Sequence, residues 1–275
     1  MSGKLYVVGT PIGNLGDFSP RAVEVLSGVD FIAAEDTRVT LKLLNHFDIH
    51  TKTVSYHEHN KKEAGAAILA RLAAGETAAL VTDAGMPAIS DPGEDLVREC
   101  HENGIEVESV PGPCAFVTAL ALSGMPSGRF TFEGFLPVDK AEKATRLASL
   151  KEDPRTLIFY EAPHKLTATL STMASVFGDR EVALVRELTK LHETVERTTL
   201  LEAVRHYQAE PPRGEYVIVL QGARESEKEN YTLESAVELA KRYVAEGMGA
   251  SNAAKVAAAE TGFKKGDLYK HLING

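Results

Sequence analysis

Three glycine- and proline-rich loops, each placed where a strand pattern runs out, constrain this chain more than any other feature. Leu5-Tyr6-Val7-Val8 runs into Gly9-Thr10-Pro11-Ile12-Gly13-Asn14-Leu15. Residues 78–81 run into Thr82-Asp83-Ala84-Gly85-Met86-Pro87 and on to Asp91-Pro92-Gly93, and residues 105–110 into Pro111-Gly112-Pro113-Cys114-Ala115. In an open α/β sheet, ligands bind beyond the carboxyl ends of the strands, where loops expose backbone NH and CO groups. Glycine lets a ligand come close to the main chain, and proline holds a loop in one shape. Three such loops on one sheet edge predict a preformed pocket read mainly by backbone, which is a cofactor cradle.

The spacing between those loops sets the fold class, α/β. Strand patterns fall at 4–8, 30–34, 53–57, 77–82 and 105–110, with amphipathic stretches at about 19–28, 38–47, 60–75 and 92–103. Ser19-Pro20 starts a helix, and Asn60 followed by Glu63 reads as a capping pair ahead of Ala67, Ile68, Leu69 and Leu72. This alternation implies a largely parallel sheet covered by helices. After Pro113 the pattern changes. A helix at about 114–123 leads into the alternating run 129–135, with further strands at 155–160, 181–187, 192–198 and 214–221 and helices near 140–151, 164–176 and 199–208. Antiparallel pairing fits these better, so the expected division is a first α/β domain over 1–112 and a second over 113–222, with the cofactor between them.

Residues 223–230 are charged and lack core side chains, reading as a linker. Three short helices are expected beyond it, near 232–246, 250–260 and 265–273, making a helix-turn-helix-like unit over 231–275. Ala253, Ala254 and Ala257 keep the middle helix slim. The chain carries a net charge of −9, which disfavours coating nucleic acid along its whole surface. From 241 to 275, however, six basic residues stand against three acidic ones, and Lys264, Lys265 and Lys270 fall on the last helix. RNA contact is the expectation for that helix; a cap that merely finishes the fold is the alternative.

No apolar run is long enough to span a bilayer, and Met1-Ser2-Gly3-Lys4 leads into a strand without the apolar core of a signal peptide. Cys100 and Cys114 lack metal-ligand spacing, so a reducing, cytoplasmic setting is expected with no membrane association. His57-Glu58-His59 offers two imidazoles without an obvious third ligand, and no metal is assigned. G-x-G-x-x-G and G-x-x-x-x-G-K-[ST] are both absent, which disfavours nicotinamide dehydrogenases and P-loop NTPases.

Taken in register, the loops resemble the tetrapyrrole-methylase-type (class III) S-adenosylmethionine methyltransferases. Thr10–Leu15, Ala34-Glu35-Asp36-Thr37-Arg38, His57-Glu58-His59-Asn60 and Asp83-Ala84-Gly85-Met86-Pro87 occur in order. Ser90-Asp91-Pro92-Gly93, Gly134-Phe135-Leu136-Pro137, Phe159–His164 and Arg186-Glu187-Leu188-Thr189-Lys190 follow them. This string is similar to the ribosomal RNA small subunit methyltransferase I family over residues 4–222, and the helical tail resembles that family's own. Two departures are small: Gly9 stands where proline is common, and Lys165 where arginine is.

The resemblance implies a two-domain tetrapyrrole-methylase fold, S-adenosylmethionine as methyl donor, a cytidine 2′-hydroxyl of 16S ribosomal RNA as acceptor, and a homodimer. It places Pro11, Asp83, Met86, Ile89, Ser90, Cys114 and Ala115 on the cofactor cleft, with Tyr160 and Gly214-Glu215-Tyr216 closing it from the second domain. Gly13 in the first loop joins that set, as do Ala84 and Gly85, which are small enough for a nucleoside wall. Cys114 could be read as a nucleophile, but a small wall residue fits its place after Pro-Gly-Pro better.

The remaining candidates concern the acceptor. Glu35 and Asp36 sit just past a buried strand, as substrate-side carboxylates or as a helix cap. Glu187 and Lys190 hold the corresponding edge of the second domain, or form a surface ion pair. Positioning of donor and acceptor can supply roughly 7–11 kcal/mol of the barrier, and a base for the ribose hydroxyl about 10²–10⁴-fold more. Asp36, Glu187 or His57 could serve as that base, with Lys190 or Arg38 steadying charge. The acidic body fits a folded small ribosomal subunit better than naked RNA. Deleting residues 231–275 is expected to abolish RNA methylation and spare cofactor affinity. A tetrapyrrole acceptor and a non-catalytic nucleotide-binding module for ribosome assembly are the rival readings.

Overall fold

The computed structural model describes residues 3–223 and 231–274, so that all of the expected linker but its first residue lies outside the described residues. A five-stranded sheet comes first: β1 (Lys4–Val8), β2 (Phe31–Ala34), β3 (Thr53–Ser55), β4 (Ala78–Val81) and β5 (Glu106–Val110). Its order is β3-β2-β4-β1-β5, with every pairing parallel. The crossovers contain α1 (Pro20–Gly28), α2 (Thr37–His46), α3 (Lys61–Ala73) and α4 (Glu94–Glu102). Pro20 opens α1 with the Ser19 hydroxyl accepting from the Ala22 amide, as the sequence predicts. The Asn60 side chain makes no cap to α3; its carbonyl instead accepts from the His57 amide and tightens the turn before the helix.

Alternation along the strands divides the core into two layers. Ile32, Ala34, Ala79 and Val81 face Ala22, Leu26 and Leu44 of α1 and α2. Phe31, Ala33, Ala78 and Leu80 face Ile68, Leu72, Leu96 and Cys100 of α3 and α4. Residues of β2 and β4 are buried throughout, as central parallel strands covered on both faces must be.

The chain then crosses through α5 (Ala115–Ser123) into a second sheet. Its strands are β6 (Phe130–Phe135), β7 (Thr156–Glu161), β8 (Glu181–Arg186), β9 (Thr194–Thr199) and β10 (Tyr216–Leu220), in the order β6-β7-β10-β8-β9. Only β6 and β7 pair in parallel; the other three pairings are antiparallel. One face packs on α6 (Lys140–Ser149), α7 (Pro163–Phe177) and α8 (Leu200–Ala209) through Phe159, Leu184 and Ile218. The other receives Ala119 and Leu120 of α5 against Ile158, Ala183, Val185, Val217 and Val219. Both sheets belong to one compact unit that ends at Gly222.

Residues from Ala223 form a second unit. It contains α9 (Leu233–Ala245), α10 (Ala250–Thr261) and α11 (Lys265–Asn274), closed around Ala236, Ala240, Ala254, Ala257 and Leu268. Ala253, Ala254 and Ala257 are fully buried, and small side chains there let the helices approach closely. Lys264, Lys265 and Lys270 are exposed. No helix among the described residues is long and apolar enough to cross a membrane.

Candidate active site

Because β1, β4 and β5 are parallel neighbours, the loops that leave their carboxyl ends emerge side by side. Thr10 and Gly85 form an antiparallel bridge, with Thr10 N donating to Gly85 O at 2.9 Å and Gly85 N to Thr10 O at 3.1 Å. The buried Thr10 hydroxyl also donates to the Thr82 carbonyl at 3.1 Å. The second loop is conformationally costly. Gly85 (φ 93°), Ala88 (φ 66°) and Ser90 (φ 63°) all have positive φ. A non-glycine residue held there costs of order 1–3 kcal/mol, tolerated where the surroundings fix the backbone.

The second sheet closes on that loop. Between Phe132 and Gly134 the β6–β7 register shifts, and Gly134 takes φ 62°. A Cβ at Gly134 would come 3.0 Å from the Ser90 hydroxyl, so the bulge brings β6 directly against the strained loop. Tyr160, at the end of β7, accepts a hydrogen bond from the Phe116 amide at the start of α5 (3.2 Å). Burial pushes its phenol up to about 12.

Between the two sheets these loops and strand ends enclose a cavity of about 520 Å³, within the range that holds a small-molecule cofactor. Of the residues expected to bind cofactor, Asp83, Ala84, Gly85, Met86, Ile89, Ser90, Cys114, Ala115, Tyr160 and Glu215 line it. Pro11, Gly13 and Gly214 are absent from the lining. The Gly13 position is filled by its neighbour instead: a Cβ there would lie 2.6 Å from Cγ of Lys190. A Cβ at Gly214 would meet Glu187 at the same distance. Both glycines therefore make room for the second sheet's β8–β9 turn. Cys114 precedes α5 with its thiol raised by burial, which suits a wall residue and opposes a nucleophilic role.

Five carboxylates stand in the wall, Glu161 and Glu215 on the second sheet's side and Glu35, Asp83 and Asp91 on the first's. Glu35, at the end of β2, accepts from the Thr82 hydroxyl at 2.5 Å and from the Asp83 amide at 3.4 Å. Asp83 accepts from the Asp36 amide at 3.1 Å; burial raises its pKa, and the nearby Glu35 and Asp36 charges add to the rise. Asp91 is pushed up to about 6 by burial and by the Glu35 charge. A cavity with an apolar wall from Ile12, Met86, Ile89 and Val217 and an acidic patch suits a nucleoside that carries positive charge. S-Adenosylmethionine, with its sulfonium and ammonium groups, fits this donor set.

The proposed catalytic residues lie elsewhere. Asp36, Glu187, His57, Lys190 and Arg38 are not in the wall. Asp36 caps α2, accepting from the Arg38 amide at 2.8 Å while pairing with its guanidinium at 2.6 Å. That pair holds the Asp36 carboxyl well below the usual range. Glu187 (φ 52°) accepts from the Glu215 amide at 3.0 Å and from the Lys190 ammonium at 3.2 Å. Lys190 also pairs with Glu215 at 2.8 Å. Burial disfavours both charges, and these bonds outweigh it, leaving Glu187 more acidic and Lys190 more basic than usual. His57 follows β3 at the sheet edge with its Nδ1 buried and without a partner. Its ring lies 6.0 Å from that of His59, and no group of three metal-ligating side chains occurs among the described residues.

Sequence reasoning did not single out Thr82, Phe135, Glu161, Val185 or Leu188 as wall residues, nor Asp91, all of which line the cavity. Each lies at or just beyond a strand's carboxyl end, the position that flagged the others. Asp91 had a further signal, being an acidic residue in a loop already assigned to the cradle.

Comparison with known proteins agrees with this geometry. The Tetrapyrrole (Corrin/Porphyrin) Methylases family matches residues 4–204. The ribosomal RNA small subunit methyltransferase I of Synechocystis sp. is 45% identical, over 98% of this chain and 96% of its own. That of Halalkalibacterium halodurans is 48% identical over 97% and 93%. That of Thermotoga maritima is 48% identical over 80% of this chain and 99% of its own. Among solved structures, the methyltransferase CobJ superposes with a TM-score of 0.61 at 18% identity, covering 81% of this chain and 95% of its own. A diphthine synthase gives 0.60 at 13%, over 80% and 90%. At these identities the structural likeness speaks to the fold alone.

Proposed function

The chain belongs to the ribosomal RNA small subunit methyltransferase I family of the tetrapyrrole methylases, and from that premise we propose that it methylates a cytidine 2′-hydroxyl of 16S ribosomal RNA. It is an S-adenosylmethionine-dependent methyltransferase. The observation that carries the reading is the cavity between the sheets, built by three interlocked loops and lined by Glu35, Asp83 and Asp91. Bound there, S-adenosylmethionine supplies a methyl group on a good leaving group, so the protein has mainly to position the acceptor and take its proton.

Each lobe contributes to holding the donor. Loop residues Asp83 to Met86, with Ile89 and Ser90, form one side; Phe135, Tyr160 and Val217 form the other. Asp36 and the Glu187–Lys190–Glu215 cluster fix the loops on either side of the cleft, and Arg38, 86% exposed at its side chain, has N–H groups beyond the two that bind Asp36 to offer RNA phosphate. The assembled small subunit is the proposed substrate form and a cytoplasmic setting goes with it. A second copy of the chain is the proposed cover for apolar side chains that stand in solvent, Val138 and Leu191 above all.

The three-helix unit, whose exposed face holds Lys264, Lys265 and Lys270, is read as an auxiliary RNA-docking element. The cavity is lined entirely by residues before 218, so the unit is read as adding affinity rather than chemistry. Small subunits from cells lacking the enzyme, incubated with tritiated donor, test the proposal. A methylated 2′-oxygen blocks alkaline cleavage at one cytidine; label on a base, or none, refutes it.

A further inference from the structure

Thr82 stands between two carboxyl groups. Its side chain, buried at the end of β4, donates to Glu35 at 2.5 Å, and the same hydroxyl faces Asp91, whose proton affinity it lowers. A hydroxyl carries one proton and can give it to one carboxylate at a time. Donation to the ionised Asp91 is what lowers its proton affinity, so once Asp91 takes up a proton the threonine hydroxyl is free to serve Glu35 alone. The trio therefore has a place for one extra proton, and Asp91 and Glu35 both open on the cavity.

We propose that Asp91 is the catalytic base that takes the acceptor's hydroxyl proton, with Thr82 passing the hydrogen bond on to Glu35 so that three side chains share the incoming proton. The assignment rests on the methyl-transfer reading above. On transfer, the acceptor oxygen bonds the methyl carbon as the carbon–sulfur bond breaks with its electron pair remaining on sulfur. The hydroxyl proton passes to the Asp91 carboxylate.

Electrostatics support the placement. Asp91 titrates near 6, raised first by burial and then by Glu35 and Asp83, against the lowering by Thr82. A base works best with a pKa close to the operating pH. The groups facing it are Glu35 after β2, Asp83 in its own loop, and Tyr160 on β7, where the phenol stays neutral. Glu161, Glu215 and Tyr216 complete the titratable wall with the burial-raised Cys114 thiol, and the lining holds no lysine or arginine to draw the proton off. The alternatives are less well placed, since Asp36 and Glu187 are engaged in ion pairs outside the wall.

The test uses full-length wild type, Asp91→Asn, Thr82→Val and Glu35→Gln. Turnover on unmethylated small subunits is followed against pH, donor affinity by calorimetry, and the carboxyl groups of the ligand-free protein by carbon-13 NMR. Wild-type kcat should rise with pH through about 6 and level off. Asp91→Asn should bind donor normally, lose the rising limb and lose about 10²–10⁴-fold in kcat. Thr82→Val should move the limb and the Asp91 resonance to higher pH, and Glu35→Gln should move both lower. The assignment falls if Asp91→Asn keeps rate and limb, if it loses donor affinity alone, or if Asp91 titrates like an ordinary aspartate at about 3.9. A wild type that binds donor but methylates nothing overturns the methyl-transfer reading as well, whereas an active wild type with an unimpaired Asp91→Asn overturns this assignment alone.

Discussion

Gly9 and Gly112 meet backbone to backbone where the first and third loops leave their strands. A Cβ on Gly112 would lie 2.8 Å from Cα and the carbonyl carbon of Gly9. A Cβ on Gly9 would lie 2.7 Å from Gly112 Cα and from the Met86 sulfur. The parallel pairing of β1 with β5 forces this approach, since the two loops depart from adjacent strands at the same height. The contact has a consequence for the cavity, because Met86 lines it and is held against Gly9.

Gly112→Ala therefore separates two main chains rather than two flexible side chains. Overpacking of this kind costs about 1–3 kcal/mol. Chemical denaturation should show a loss in that range, and calorimetry should show weaker binding of S-adenosylmethionine as loop three shifts with Cys114 and Ala115. Gly128, with open space around its Cβ position, is the control: Gly128→Ala should change neither measurement.

Glu187 and Lys190, both outside the cavity wall, clasp Glu215, which lines it. Glu187→Gln keeps an acceptor for the Glu215 amide and should hold kcat within about tenfold of wild type, below the 10²–10⁴-fold expected for a lost base. Glu187→Ala removes the acceptor too and should weaken donor binding by freeing Glu215 at the cavity edge. A kcat loss beyond a hundredfold in Glu187→Gln, with donor binding intact, would return Glu187 to the chemistry.

The sheets, their strands and the three-loop cradle are readable from the sequence because each rests on local pattern. Unbroken apolar runs at residues 31–34 and 78–81, and the turn-forming residues beyond them, require no knowledge of distant partners. The second lobe's share of the wall is less readable. Phe135 reaches the cavity through a bulge at Gly134, and Val185 through antiparallel pairing with Val217, both fixed by tertiary contacts. Gly13 and Gly214 illustrate the converse. They read as ligand-approach glycines, whereas the close neighbour in each case is a side chain of the β8–β9 turn. The base is illegible for a similar reason: Asp36 occupies the expected strand-end position, but its carboxylate is spent on the α2 cap and Arg38, and which carboxylate stays free depends on where Thr82 points.

Asp91 also gives the fold a pH dependence of unusual sign for a carboxyl. Its folded pKa, about 6, lies above the value of about 3.9 expected unfolded, so the native state holds this proton more tightly. The associated stability is fully present below the unfolded pKa and is lost as pH rises through about 6. Asp91→Asn removes the burdened charge and should melt higher than wild type at pH 8, with the difference shrinking toward pH 4. Equal melting temperatures at pH 8 would mean that the Asp91 carboxylate is solvated in the native state.

The three-helix unit closes around its own small core, and its exposed lysines carry a charge opposite to that of the chain as a whole. Replacing Lys264, Lys265 and Lys270 together by alanine should leave donor affinity and saturating kcat unchanged while raising the small-subunit concentration needed for half-maximal rate. Each phosphate contact on single-stranded RNA contributes roughly 0.7 to the slope of log affinity against log salt, so losing three should flatten that slope by about 2. Truncation after residue 230 removes every contact of the unit and should flatten the slope at least as much, with methylation lost at subunit concentrations that saturate wild type and donor affinity spared. If the slope is unaltered in both proteins, the lysines do not meet phosphate, and the unit serves the fold or another partner. A slope that flattens only on truncation would assign the contact to other side chains of the same unit, such as Lys241, Arg242 or Lys255.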